Sequence, residues 1–198
     1  GGAVVSASIN KYCFVTMREL PPFFPYKYRV RYYKREEVST LQEIEHPSVR
    51  EVLTFLNIDK GVEVVHHADL PARSGLGSSS TFTVSMLHAG YALLSKYASK
   101  YNLAIQAIDI EQNKIGEAVG SQDQTAAAFG GFNRINFGGV REIEVSPLII
   151  PSEKLESLQD NLLLFFTGFS RTASEVATEQ IATLSEKEQE LHKMMEIC

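Results

Sequence analysis

At 198 residues, 44% of them hydrophobic and 22% charged, the chain has the composition of a globular protein with one sizeable core, or one domain plus part of a second. A net charge of -5 gives no electrostatic reason to expect nucleic acid or an anionic membrane as partner. Cys13 and Cys198 lie far apart and outside any metal spacing, no stretch approaches the ~20 apolar residues of a membrane span, and no signal peptide opens the chain, so the expectation is a cytoplasmic protein without a disulfide scaffold.

Ala3–Ile9 and Lys11–Met17 are β-branched and aromatic runs split by Asn10, which predicts two adjacent strands. A loop with Pro21, Pro22 and Pro25 follows. Lys27–Arg35 alternates aromatic and cationic residues, and a strand over Tyr28–Tyr33 with one wet face accounts for this better than a nucleic-acid stripe. Pro47, with Val49, Leu53 and Leu56 behind it, predicts a short helix. Gly61–Ala68 alternates like a strand, so His66 and His67 fall on opposite faces and make a poor metal pair. Gly75–Ser80 is a loop opening a long helix with Phe82, Met86, Ala89, Leu93 and Tyr97 on one face. Helices are expected from about Asn102 to Gly116 and from Ser121 to Phe129. Phe132–Phe137 and Val140–Val145 then read as a hairpin turned at Gly138–Gly139. Leu162–Phe166 predicts a short buried strand, and Thr172–Ile197 a long amphipathic helix. No internal repeat is present, and strands that precede helices favour an α+β fold.

Two stretches carry candidate chemistry. In LPARSGLGSSST, Leu70–Thr81, Gly75 and Gly77 permit close backbone approach to a ligand, and the serines open a helix whose free amides and dipole attract phosphate. No Gly-Lys-Ser/Thr follows, so this is no Walker A loop; a flexible turn with a serine cap reads equally well from residue types alone. In IEQNKIGEAVGSQDQTAAAFGG, Ile110–Gly131, Glu111 and Asp123 stand on successive helices separated by Gly120. A carboxylate pair beside a phosphate loop is what magnesium-assisted phosphoryl transfer needs, one to hold Mg²⁺ and one to orient or deprotonate the acceptor hydroxyl. Each carboxylate alone reads as a surface or capping group, and spacing leaves Glu117 open in place of Glu111. Arg73, beside the loop, and Arg171, at an expected helix start, read as solvated arginines or as phosphate contacts.

Together these stretches resemble the GHMP kinases, whose pattern is Pro, a spacer, then Gly-Leu-Gly-Ser-Ser. HADLPARSGLGSSSTF, IEQNKIGEAVGSQDQTAAAFGGFN, LLLFFTGFSRTASEV and the opening GGAVVSASINKY look like the branch acting on D-glycero-D-manno-heptose 7-phosphate. The resemblance runs from Gly1 to about Gln180 and implies a ribosomal protein S5 domain 2-like N-terminal domain over 1–168, with a ferredoxin-like C-terminal domain beginning at 169–198. It implies ATP and Mg²⁺, with Arg73, Ser74, Gly75, Leu76, Gly77, Ser78, Ser79 and Ser80 at the nucleotide, Ser79 and Glu111 on the metal, and Asp123 as the catalytic base. Gln122, Asp123 and Arg171 would meet a sugar or sugar phosphate; a homodimer is left open. The implied reaction is γ-phosphoryl transfer to a sugar hydroxyl, foremost the anomeric hydroxyl of the heptose 7-phosphate. A fucose- or galactose-type kinase of the same family, and a non-catalytic binder on the same fold, remain as alternatives. The family's Gly-Gly-Gly-Thr-Asp element and C-terminal glycine-rich motif do not occur in the sequence, so the chain by itself is expected to be inactive or nearly so.

Overall fold

The computed structural model describes residues 2–72, 74–139, 142–163, 165, 178, 182–183 and 187–197. The first strands are β1 (Gly2–Ala7), β2 (Cys13–Glu19), β3 (Tyr28–Arg31) and β4 (Arg35–Val38). Helix α1 (Pro47–Phe55) starts with proline at its first turn, where the missing amide costs nothing. Strand β5 (Val62–Ala68) leads to α2 (Ser78–Leu93) and α3 (Lys100–Asp109). Then come α4 (Gln122–Phe129), β6 (Phe132–Phe137), β7 (Ile143–Pro147), α5 (Ser152–Asp160) and α6 (Glu188–Ile197).

One sheet has the order β2-β5-β3-β4; β4 returns the chain to the end where β3 starts, and the segment with α1 then crosses to β5, which therefore runs parallel to β3. Its inner face, with Tyr28, Val30, Val62 and Val64, is buried against Val49, Val52 and Leu53 of α1 and Met86 and Leu87 of α2. The second sheet is β1-β6-β7, all antiparallel, with Ile135 fully buried. The expected α+β class is therefore what the chain forms.

The first two strands are not neighbours. β1 pairs with β6, and β2 pairs with β5, so residues 8–12 carry the chain from one sheet to the other. Alternation defines a strand but leaves its partner open. The polar face of β3 is wet only at its end, where Arg31 is exposed. The strand lies between β5 and β4, and Arg29 is only 8% exposed, with its guanidinium stacked over Phe24 and Tyr26 and bonded to Glu37 and Glu63. Burial would raise the Glu63 carboxyl, but hydrogen bonds from Arg18 and Arg29 outweigh it and hold the group below its usual value. The alternating pattern is a two-faced interior strand whose cations are neutralised by carboxylates on its neighbours.

Other expectations also shift. Helix α2 ends at Leu93, and Ser95 takes a left-handed φ of 55°, so Tyr97 leaves the helical face and is 90% exposed. Leu162, Leu163 and Phe165 are exposed and in no strand, against the short buried strand expected there; Phe166 lies outside the described residues. The expected domain boundary at 168/169 also lies outside them, and of the long final helix α6 is the part described with defined bounds. Strand β4 and helix α5 are elements beyond those expected from the sequence. His66 and His67 do separate as expected, His66 half-buried against the Phe82 ring and His67 exposed.

Packing between α1 and α2 is tight at Gly90, where an added Cβ would overlap Cδ1 of the buried Leu56. Gly90→Val is expected to destabilise the fold by about 1–3 kcal/mol through overpacking. Urea unfolding checks it, and an unchanged midpoint would mean that Leu56 has room to move.

Candidate active site

Helix α2 begins without a side-chain cap. Its N-cap is Gly77 in the left-handed region at φ 67°, and no side chain satisfies the first amides. By contrast, α3 is capped by Ser99, whose hydroxyl accepts from the Asn102 amide. An uncapped helix of 16 residues preceded by a glycine turn leaves N–H groups and the positive end of the dipole open to an anion. Gly75, at φ 75°, supplies the other left-handed position of the loop. Leu76 and Ser79 are exposed, Ser78 is half-buried, and the buried Ser74 hydroxyl has no partner among the described residues. Arg73 lies outside the described residues.

Glu111 reaches this helix from below. After α3 the chain continues as a wider π-type turn over Ile110–Ile115, closed by Gly116 at φ 79°. Within it the consecutive residues Ile110 and Glu111 are both buried, at 0% and 1% exposure. Such a widening often marks a functional site. Ser80 Oγ donates to Glu111 Oε2 at 2.8 Å, and Gln124 Nε2 donates to the same oxygen. Glu111 Oε1 is buried with no partner among the described residues. A buried carboxylate oxygen with empty lone pairs is costly unless something positive meets it, so the site fits a hard cation. Among the described residues no three acidic, histidine or cysteine side chains gather to hold a metal. One carboxylate with hydroxyl and phosphate oxygens is a set that suits Mg²⁺, which keeps waters and leans on phosphate.

Asp123 closes the third side. It lies in the first turn of α4, and a Cβ built at Gly77 would stand 3.1 Å from its Cγ and 3.2 Å from Oδ2. The phosphate loop and this carboxylate approach so closely because residue 77 has no side chain. Asp123 keeps an exposed surface, yet burial on the loop side pushes its carboxyl above the usual aspartate value. Glu117, half-buried, is also raised, first by burial and then by the charge of Glu111. Of the two glutamates that spacing leaves open, Glu111 is the one bonded to the loop helix.

The structure thus brings together the Gly75–Ser80 loop, Glu111 and Asp123, with Gln122 exposed beside Asp123. Arg171 lies outside the described residues. The hydroxyl bonded to Glu111 is that of Ser80, not Ser79. Gln124 is the buried contact that the sequence did not single out.

Comparison with known proteins bears on the fold and the family resemblance. The family model described as GHMP kinases N terminal domain matches residues 41–131. A D-glycero-alpha-D-manno-heptose 7-phosphate kinase of Campylobacter jejuni is 34% identical over 121 residues, 61% of this chain and 36% of that protein. A bifunctional fucokinase/GDP-fucose pyrophosphorylase of Arabidopsis thaliana is 29% identical over 118 residues, 59% of this chain and 11% of that protein. The crystal structure of a D-glycero-D-manno-heptose 1-phosphate kinase from Bacteroides thetaiotaomicron superposes with a TM-score of 0.74 at 29% identity, over 93% of this chain and 64% of that one. The chain spans little more than a third of the Campylobacter kinase and under two thirds of the Bacteroides structure.

Proposed function

From a GHMP kinase N-terminal domain over residues 41–131, in a chain with the GHMP kinase fold, we propose an ATP-dependent sugar kinase whose acceptor is the anomeric hydroxyl of D-glycero-D-manno-heptose 7-phosphate. One observation carries this reading. The open N-terminus of α2, the unpartnered Oε1 of Glu111 and the raised carboxyl of Asp123 converge on one loop. A pure binder gains nothing from a buried carboxylate oxygen left without a donor.

In the proposed reaction the amides of the Gly75–Ser80 loop hold the nucleotide phosphates. Glu111 and the Ser79 hydroxyl are the protein's oxygens for Mg²⁺, with Ser80 steadying Glu111. When bound, Mg²⁺ would neutralise phosphate charge as it moves during transfer. Asp123 orients the acceptor hydroxyl and takes its proton on a carboxylate oxygen. Burial that raises its proton affinity makes it a better acceptor than an ordinary surface aspartate. Phosphoryl transfer asks little covalent work of the protein, so positioning and electrostatics supply most of the effect. Gln122, beside Asp123, and Arg171 are proposed sugar and sugar-phosphate contacts, and Arg73 a nucleotide contact. The reading places residues 1–168 in the N-terminal domain and opens the C-terminal domain at 169.

The test is a coupled ATP-consumption assay on the full-length protein with the heptose 7-phosphate, fucose and galactose, beside an Asp123→Ala control. Turnover on the heptose phosphate, lost in the control, is expected. Turnover on fucose instead would keep the mechanism and replace the acceptor, and silence on all three would sink the reading. Ser79→Ala is expected to raise the Mg²⁺ concentration for half-maximal turnover by about tenfold, the scale on which altering a metal's surroundings acts. An unaltered magnesium titration would remove Ser79 from the metal.

A further inference from the structure

Gln124 is a wholly buried polar residue to which the proposed reaction gives no task. It follows Asp123 on α4 and donates from Nε2 to Glu111 Oε2. Chemistry fixes that orientation, because the reverse would set the amide oxygen against a carboxylate oxygen, two acceptors facing each other. Ser80 Oγ donates to the same Oε2 at 2.8 Å. Two donors therefore meet on one oxygen of Glu111, while Oε1, also buried, receives none from the described residues.

We propose that Gln124 is a positioning residue for the divalent cation: with Ser80 it occupies Oε2, stops the carboxylate from rotating, and leaves Oε1 as the single oxygen presented to the metal. The inference rests on the kinase reading. A carboxylate without such anchors would offer either oxygen over a range of directions, whereas Mg²⁺ demands narrow octahedral geometry. An uncharged donor suits this task, because lysine or arginine at 124 would cancel the charge that attracts the cation. Gln124 Oε1 is itself buried without a partner among the described residues, so the side chain completes no closed polar network with them. Its place next to Asp123 also ties the metal ligand and the base to one turn of α4, so that neither can drift from the other.

The experiment measures Mn²⁺ binding to the full-length protein by the electron-spin signal of free Mn²⁺, with a nonhydrolysable ATP analogue present. Gln124→Leu is expected to weaken Mn²⁺ about tenfold or more, as loss of a residue orienting a metal ligand does. The same variant should need correspondingly more Mg²⁺ for turnover, with kcat recovering as Mg²⁺ saturates. Ser80→Ala should act in the same direction, and the double variant should lose less than the product of the two, because both donors hold one oxygen. Gln124→Asn retains the polarity but falls one methylene short, and gives the same readout should the leucine variant fail to fold. Wild-type Mn²⁺ affinity in the folded variants, with turnover reduced equally at every Mg²⁺ concentration, would overturn the proposal and leave Gln124 a packing residue. A wild-type protein that binds no Mn²⁺ with the analogue would overturn the kinase reading and this inference with it.

Discussion

Asp123→Asn is expected to lower turnover of the full-length protein in the proposed reaction by about two or more orders of magnitude, the range that removal of a general base costs. It should do so without harming the fold. Burial raises the Asp123 carboxyl above its usual value, so the native state binds this proton more tightly than the unfolded chain does. The sign follows from linkage: between the ordinary aspartate value and the raised one, stability falls as pH rises, and above the raised value the charged group is a net cost. Asparagine carries no charge, so at neutral pH the variant should melt at the same temperature as the parent or higher. Turnover of the parent should correspondingly fall on the acid side at a pH above that of an ordinary aspartate, and this limb should vanish with the residue. A large activity loss with an intact melt is the signature of a catalytic group. Unchanged kcat would remove Asp123 from the chemistry, and an equal loss of folded protein would make it structural.

The parts of this site that were legible in the sequence are those where one residue type has few uses. Glycines at 75 and 77 ahead of a serine run announce left-handed backbone and an open helix start, and both glycines take positive φ. Glu111 and Asp123 flank a break between helices, and both meet the loop they were paired with. What stayed illegible depends on side-chain direction and partner choice. The π-type turn shifts the facing of residues 110–115 relative to a regular helix, so no 3.6-residue wheel places Glu111 against Ser80. Gln124 reads as an ordinary helix residue until α4 is docked on α2 and the π turn. The same limit explains the strands. β-branched runs marked β1 and β2, but pairing across 125–135 and 43–55 residues of chain is set by the docked helices and by the length of the intervening loops. Arg29 looked like part of a wet face because Glu63 and Glu37, which neutralise it, arrive from other strands, whereas Arg31 is exposed.

Gly77→Ala is expected to cost about tenfold to a hundredfold in kcat. Two separable effects act at this residue. Its φ of 67° lies in the left-handed region, where a side chain costs about 1–2 kcal/mol. The new Cβ would also stand 3.1 Å from Asp123 Cγ and 3.2 Å from Oδ2, tighter than ordinary contact, so the carboxylate or the loop must give way. A shift approaching 1 Å in a group that must meet a hydroxyl in line with phosphate costs up to about a hundredfold. Gly75→Ala separates the two. Its φ of 75° brings the same backbone strain, but no described residue lies within 4 Å of its added Cβ. Both variants should therefore lose similar stability in urea, while kcat at saturating ATP and Mg²⁺ should drop much further for Gly77→Ala. Combining Gly77→Ala with Asp123→Asn gives the sharper readout: if the glycine acts by leaving room for the carboxylate, its substitution should cost far less once that carboxylate has been removed from the reaction. Full additivity of the two, or equal kcat losses for Gly75→Ala and Gly77→Ala, would show that residue 77 serves the phosphates alone and that Asp123 is positioned independently of the loop.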